Sequence, residues 1–381
     1  MNELRFGVLG AHRRGRISLH IHRPEEGLRL VAACGATTEG LEGYRKRCGE
    51  DVKLTCDYRE IVNDPGIDGV FVCTPDHLHA EHAIAALENG KHVFLEKPMA
   101  ITIEDCDRLL VAARNSTGKL YIGHNMRFFP VINKMKELIA AGRIGRVEAV
   151  WVRHFISYGG DAYFKDWHSE RQYTTSLLLQ KGAHDLDIVH YLAGGYTRRV
   201  VGMGKLSVYN EVKDRRDPMS SPNVEFDRSN WPPLSQKGLS PVIDVEDHSM
   251  LLLQLENGVQ ASYTQCHYSP DDWRNYVVIG TEGRIENFGD HSSPDKWASV
   301  HLWNRRQGFQ EQGNEVYRIP HIEGSHGGAD PLLIEDFVRF VRTGEAEGAT
   351  IIDARMAVAA GVLGAQSLRH DSMPYNVPAL P

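Results

Sequence analysis

Hydrophobic positions in the first third of the chain fall into short, nearly unbroken runs separated by longer amphipathic stretches. Arg5 to Leu9, Leu28 to Cys34, Gly69 to Cys73, His92 to Leu95 and Leu120 to His124 predict strands, and their continuous apolar character predicts cover on both faces. Helical patterns lie at Leu41 to Cys48, Leu78 to Asn89 and Ile103 to Asn115, with a further helix beginning over Ile17 to His22. This alternation predicts an N-terminal Rossmann domain over residues 1–124, an α/β fold with a doubly wound parallel sheet. From Val147 the rhythm changes to alternating strands at Val147 to Phe155, Ser249 to Glu256, Val259 to Cys266, Tyr276 to Ile279 and Arg284 to Phe288, with Asn257-Gly258 as a hairpin turn. A separate antiparallel domain is expected over 125–381, and Asn210 to Pro241, rich in Pro, Ser and charge, reads as an excursion that shapes a pocket or a subunit contact.

A chain of 381 residues exceeds the size at which one core keeps growing, which agrees with two domains. Its 43 basic and 50 acidic residues give a net charge of −7, interspersed rather than blocked, so neither nucleic acid nor an anionic membrane is an expected partner. Glu3 and Arg5 interrupt what would be a signal-peptide core, and no later stretch approaches the ~18 apolar residues of a membrane span, so a cytoplasmic protein is expected. The six cysteines lie far apart with no C-x-x-C and are expected to be reduced, mostly buried thiols. His79-Ala-Glu-His82 has the wrong spacing for a zinc motif, and no metal is expected.

In a doubly wound sheet, ligands bind at the carboxyl ends of the strands. The first strand runs into Gly10-Ala-His-Arg-Arg-Gly15, where backbone N–H groups and a helix start can hold a pyrophosphate. His12 replaces the middle glycine of the usual fingerprint, which implies a shifted phosphate or an imidazole beside it. Gly35 ends the second strand, where an acid normally accepts from the ribose 2′-hydroxyl of NAD. Gly35 offers no positive charge at that point and Arg13 and Arg14 are expected to face the pyrophosphate, so NAD is the expected cofactor, while an approach of these arginines to a 2′-phosphate leaves NADP open. Glu96-Lys97-Pro98 closes another strand, and Pro98 helps to aim Lys97, which can accept a hydroxyl proton if partly desolvated.

Several longer motifs carry a resemblance: the glycine loop, Thr74-Pro75 followed by His79, AALENGKHVFLEKP from Ala85 to Pro98, GHNMRFFP from Gly123 to Pro130, QKGAHDLD from Gln180 to Asp187, and GTEGRIE from Gly280 to Glu286. In these the chain resembles the glucose-fructose oxidoreductase and inositol dehydrogenase (Gfo/Idh/MocA) family. The resemblance implies a second α/β domain with an open, mainly antiparallel sheet, and a homodimer or homotetramer. It also implies that Lys97 is the acid/base lysine, that His184 contacts the reacting hydroxyl, and that Thr74, Pro75, His79 and Asn125 border the cofactor. Gln180 stands where the family often has an aspartate; it can hold a hydroxyl but cannot take a proton.

The segment Tyr158 to Ser176, where the family binds substrate, brings aromatic rings together with Lys165, His168 and Arg171. With Lys181, Arg127 and Arg153 these form a basic accumulation that points to an anionic sugar, such as a uronate or a sulfonated glycoside, unless Asp161, Asp166 or Glu170 offsets it. The leading reading is hydride transfer between nicotinamide and a sugar or cyclitol ring carbon. An NAD-dependent glycosidase, working by transient oxidation, elimination and re-reduction, is the alternative; a non-catalytic dinucleotide sensor is the third.

Overall fold

The apolar runs of the first third assemble into one six-stranded sheet of β1 (Leu4–Leu9), β2 (Leu28–Cys34), β3 (Lys53–Thr55), β4 (Gly69–Val72), β5 (His92–Leu95) and β6 (Leu120–Ile122). The computed structural model describes residues 3–290, 297–320, 322–324 and 326–381. All pairings are parallel, in the order β3-β2-β1-β4-β5-β6, the doubly wound arrangement whose order reverses between β1 and β4. β3 is too short and too polar to stand out in the sequence. The chain after the glycine loop forms a 3₁₀-helix, Arg13–Ile21, beginning four residues earlier than the expected helical start at Ile17.

By contacts the chain forms two units, the first comprising Met1–Asn125, Ala329–Arg355 and Pro381. The sequence pattern alone puts this returning segment in the second domain. Its helix Ala329–Thr343 lays Phe337 against Phe6, Phe71, Phe94 and Tyr121, with ring centres 5.5 to 6.0 Å away. Tyr121 donates to Asp336 at 2.8 Å, Lys119 donates to the carbonyls of Phe340 and Val341, and the buried Arg355 guanidinium bonds both oxygens of Asp107. These polar ties fix the register of the helix over an otherwise non-directional apolar contact.

The second unit, Met126–Gly328 with Met356–Leu380, is built on a nine-stranded sheet. Its strands are β7 (Val147–Phe155), β8 (Thr197–Lys205), β9 (His248–Leu255), β10 (Gln260–Cys266), β11 (Trp273–Gly280), β12 (Arg284–Phe288), β13 (Trp297–Trp303), β14 (Glu315–Pro320) and β15 (Tyr375–Asn376). The order is β14-β13-β12-β11-β7-β10-β9-β8-β15, and every pairing is antiparallel except β7 with β10. Side chains alternate, so His154 and Val152 are buried while Trp151 and Arg153 are exposed. The excursion after β8 packs Tyr209, Val212 and Leu239 with Phe164, Leu177 and Val245 in a small core of its own.

Two composition-level expectations change. The helix Ile351–Arg369, with mean hydropathy 1.3, is long and apolar enough to cross a membrane; with 67% of it buried within the protein, it reads as a core helix. The cysteines are unpaired, but only Cys34 and Cys106 are buried, and Cys56 is exposed.

Candidate functional site

In the first unit, the loop after β1 crosses the end of β4. Gly10 has φ +78°, and a Cβ there would lie 2.5 Å from the carbonyl oxygen of Cys73, so only glycine makes this turn. A Cβ on Gly15 would lie 2.1 Å from the carbonyl oxygen of Gly10, which lets the helix start close onto the strand. These are the tight-turn and close-packing roles of the first and third fingerprint glycines. Arg13 holds φ +42°, an uncommon conformation for a side-chain-bearing residue.

Arg14 is clamped: its Nε donates to Glu96 at 2.5 Å, and its two terminal nitrogens donate to Asp330 at 2.6 and 3.0 Å. Burial opposes its charge, but Glu96 and Asp330 more than offset that and hold the guanidinium above its ordinary pKa. The group thus ties the glycine loop to the end of β5. The other oxygen of Glu96 accepts from the Lys97 backbone N–H at 3.1 Å. Lys97 itself is half-buried, and its peptide bond to Pro98 is cis.

His79 lies with Nδ1 2.7 Å from the Pro98 carbonyl and Nε2 2.8 Å from the Thr74 carbonyl. Burial lowers its pKa. With both nitrogens against backbone, the ring braces the β4 and β5 loops. Thr74 Oγ1 lies 3.1 Å from His82 Nδ1. Asn125 is buried, its Nδ2 3.4 Å from Asp330, and its Oδ1 has no partner among the described residues. The glycine turn at the switch point and this orphaned acceptor fit a dinucleotide laid across the carboxyl ends of β1, β4 and β5. The unit's cavity of about 890 Å³ opens elsewhere, beside Gly90 and Thr117 at the amino ends of β5 and β6, the edge opposite to that where such sheets bind ligands.

In the second unit, His184 sits on the first turn of the helix Gly182–Ala193, next to Asp185. Asp185 is fully buried and is the hub of the region. It accepts from Tyr276 Oη, from Tyr263 Oη at 3.0 Å and from His154 Nδ1 at 2.9 Å, with Arg274 Nε 3.3 Å away. Burial alone would raise its pKa, but Arg274 and the other donors outweigh that and hold the carboxyl well below the usual carboxylate range. Burial pushes the imidazole of His154 down to about 4. Nδ1 of His154 also lies 3.2 Å from a terminal nitrogen of Arg274, so it stands between an acceptor, Asp185, and a donor. The hub pins the start of the helix to β7, β10 and β11 and so aims the half-buried His184 and Lys181.

The basic accumulation resolves into separate ion pairs. Lys165 donates to Asp161 at 2.7 Å, His168 Nδ1 lies 2.6 Å from Asp166, and Arg171 donates to Glu246 at 3.0 Å. Arg127 grips both oxygens of Asp187 at 3.0 and 2.7 Å, and Arg153, on the exposed face of the sheet, donates to Asn275 and pairs with Glu286 at 3.4 Å. Of the six, Lys181 alone has no carboxylate partner among the described residues. Its Nζ donates to Tyr158 Oη at 2.9 Å and lies 5.4 and 5.7 Å from the ring centres of Tyr158 and Tyr163. The argument for an anionic substrate is corrected accordingly: the local acids supply the offset. Gln180 is buried at the end of the preceding turn.

The sequence reading missed His154, Asp185, Arg274, Tyr263, Tyr276 and Asp330. One signal was available: in a strand of period two, Arg153 and His154 occupy opposite faces, and only one of them can meet the helix. Among the described residues, no cluster of three or more His, Cys, Asp or Glu is arranged to hold a metal.

Comparison with known proteins places this geometry. The NAD-binding Rossmann fold of an oxidoreductase family, Gfo/Idh/MocA, matches residues 4–124, and the C-terminal alpha/beta domain of the same family matches 136–377. The chain is similar to scyllo-inositol 2-dehydrogenase (NAD(+)) of Bacillus subtilis (strain 168), at 25% identity over 99% of this chain and 97% of that one. It is also similar to an alpha-N-acetylgalactosaminidase of Shewanella oneidensis, at 24% over 99% and 85%. Its fold matches that of levoglucosan dehydrogenase in complex with NADH and levoglucosan, with a TM-score of 0.80 and 22% identity over 99% and 100% of the two chains. Since the two family domains together run over most of its length, this chain belongs to the Gfo/Idh/MocA oxidoreductase family and carries that family's NAD-binding Rossmann domain.

Proposed function

We propose that the protein transfers hydride between a ring carbon of a neutral sugar or cyclitol and NAD. The observation that carries this reading is the position of Lys97 at the carboxyl end of β5, with Glu96 on one side tied to Arg14 and Pro98 on the other braced by His79. A lysine so fixed beside the dinucleotide edge can take the hydroxyl proton as the carbon is oxidised and return it on reduction. NAD, when bound, accepts or returns the hydride. His184 contacts the reacting hydroxyl, as the family resemblance implies. Gln180 and Lys181 hold neighbouring hydroxyls, and the tyrosines beside Lys181 offer ring faces to the C–H surface of a sugar.

The similarity to an alpha-N-acetylgalactosaminidase over 99% of the chain supports a second reading, a redox-neutral glycosidase. The test is a panel of polyols, free sugars and aryl glycosides, followed at once for nicotinamide absorbance and aglycone release. Stoichiometric absorbance change without aglycone supports the dehydrogenase. Aglycone release at constant absorbance favours the glycosidase, and neither signal overturns both.

We also propose that the open face of the nine-stranded sheet docks on a second copy. Trp151 and Leu252, 51% and 64% exposed, share one cross-strand row through Ser262, and the exposed Met203 pairs directly with Met250. A row of large apolar side chains on an open face matches a homo-oligomer contact. Light scattering on the native protein and on Trp151→Glu/Leu252→Glu tests it, with a smaller species expected for the double variant.

A further inference from the structure

We infer that His12, rather than an acid at the end of β2, reads the ribose 2′ position of the dinucleotide and sets the preference between NAD and NADP. In a Rossmann unit that reading is done by a carboxylate at the end of the second strand. Here the position is Gly35, and its place is already filled. A Cβ on Gly35 would lie 3.0 Å from Nε2 of His12 and 3.0 Å from Leu41 Cδ2. A Cβ on Gly40 would lie only 2.1 Å from Cε1 of His12 and 3.0 Å from each of its ring nitrogens. Two glycines thus form a shelf, and the imidazole from the middle of the glycine loop rests on it. His12 is exposed, so a ligand can reach the ring, although its Cε1 edge, flanked by both ring nitrogens, faces Gly40.

The chemistry fits the task. A neutral imidazole has one N–H donor and one acceptor nitrogen, so it can bond a 2′-hydroxyl in either sense. It also fills volume that a 2′-phosphate would need. Arg14, one of the two neighbouring cations, is held by Glu96 and Asp330. The unusual loop residue and the missing acid are one substitution: His12 supplies from the loop what Gly35 lacks.

The inference rests on the NAD-binding assignment and not on the identity of the substrate, so the test needs no turnover. Titration calorimetry with NAD⁺ and with NADP⁺ is run on the native protein, His12→Ala, Gly35→Asp and His12→Gly/Gly35→Asp, with apo melting curves to confirm folding. His12→Ala should weaken NAD⁺ about two- to tenfold, the worth of one neutral hydrogen bond, and should weaken NADP⁺ less or tighten it. Gly35→Asp alone should not tighten NAD⁺, because the ring stands in the way of the new carboxylate. The double variant should regain NAD⁺ binding and reject NADP⁺ by charge repulsion. Equal weakening of both dinucleotides by His12→Ala, no change in either, or tighter NAD⁺ binding by Gly35→Asp alone would overturn the assignment.

Discussion

Each unit carries a charged hub beneath its candidate functional loop, and the two are built in opposite ways. In the first, one cation, Arg14, is shared by two acids, Glu96 and Asp330. In the second, one acid, Asp185, is shared by Arg274, His154, Tyr263 and Tyr276. The first remains partly open, with 29% of the Arg14 side chain exposed, whereas Asp185 is fully buried. A partly solvated clamp fixes a loop that must meet a ligand and loses moderately when one partner goes. A dry hub fixes a helix start, and losing Asp185 strands a cation and three donors where water cannot replace the partner.

The largest effect is expected from breaking the dry hub. Asp185→Ala should cost about 3–5 kcal/mol of stability, since it leaves Arg274 buried without its nearest carboxylate. Chemical denaturation reads the loss, and a change below about 1 kcal/mol would mean that the hub is not the anchor.

Acid should strike the same hub next. The unfolded His154 takes up its proton near the ordinary value of ~6.5, but the folded ring stays neutral until about 4. Between those pH values the unfolded state binds more protons, so stability falls as pH drops through that window, by on the order of 3 kcal/mol from this group. His154→Gln should flatten this part of the pH–stability curve.

Asp330→Ala tests the open clamp and should be milder, about 1–2 kcal/mol, because Arg14 keeps Glu96. Its sharper signature is weaker NAD binding from a loosened glycine loop. The smallest effect belongs to Arg153→Ala, on the outward face of β7, which should stay within ~0.5 kcal/mol and leave kcat/KM unchanged. A selective loss of activity there would return Arg153 to the substrate site.

What was legible in the sequence was local. The glycine loop, Glu96-Lys97-Pro98 and the missing acid at Gly35 are strings of neighbouring residues at strand ends, and strand ends follow from runs of apolar residues. The pairing of Lys165 with Asp161 was also within reach, four positions apart. The clamp on Arg14 was not, because Asp330 is 316 residues away and only the tertiary fold returns it to the first unit. The seat of His12 on Gly35 and Gly40 was hidden for the same reason: two glycines read as flexibility until the ring above them is seen. At Arg153 and His154 the strand was clear, but the alternation could not say which face the helix would cover.

Lys97, fixed at the end of β5, is the residue proposed to move the hydroxyl proton in an NAD-dependent reaction. The direct test is Lys97→Ala, measured for NAD dissociation by calorimetry and for nicotinamide absorbance change with whichever polyol or sugar the native protein turns over. The account predicts nearly native NAD affinity with kcat lower by about 10²- to 10⁴-fold. Turnover within about threefold of the native protein, at unchanged NAD affinity, would make Lys97 a structural residue and contradict it.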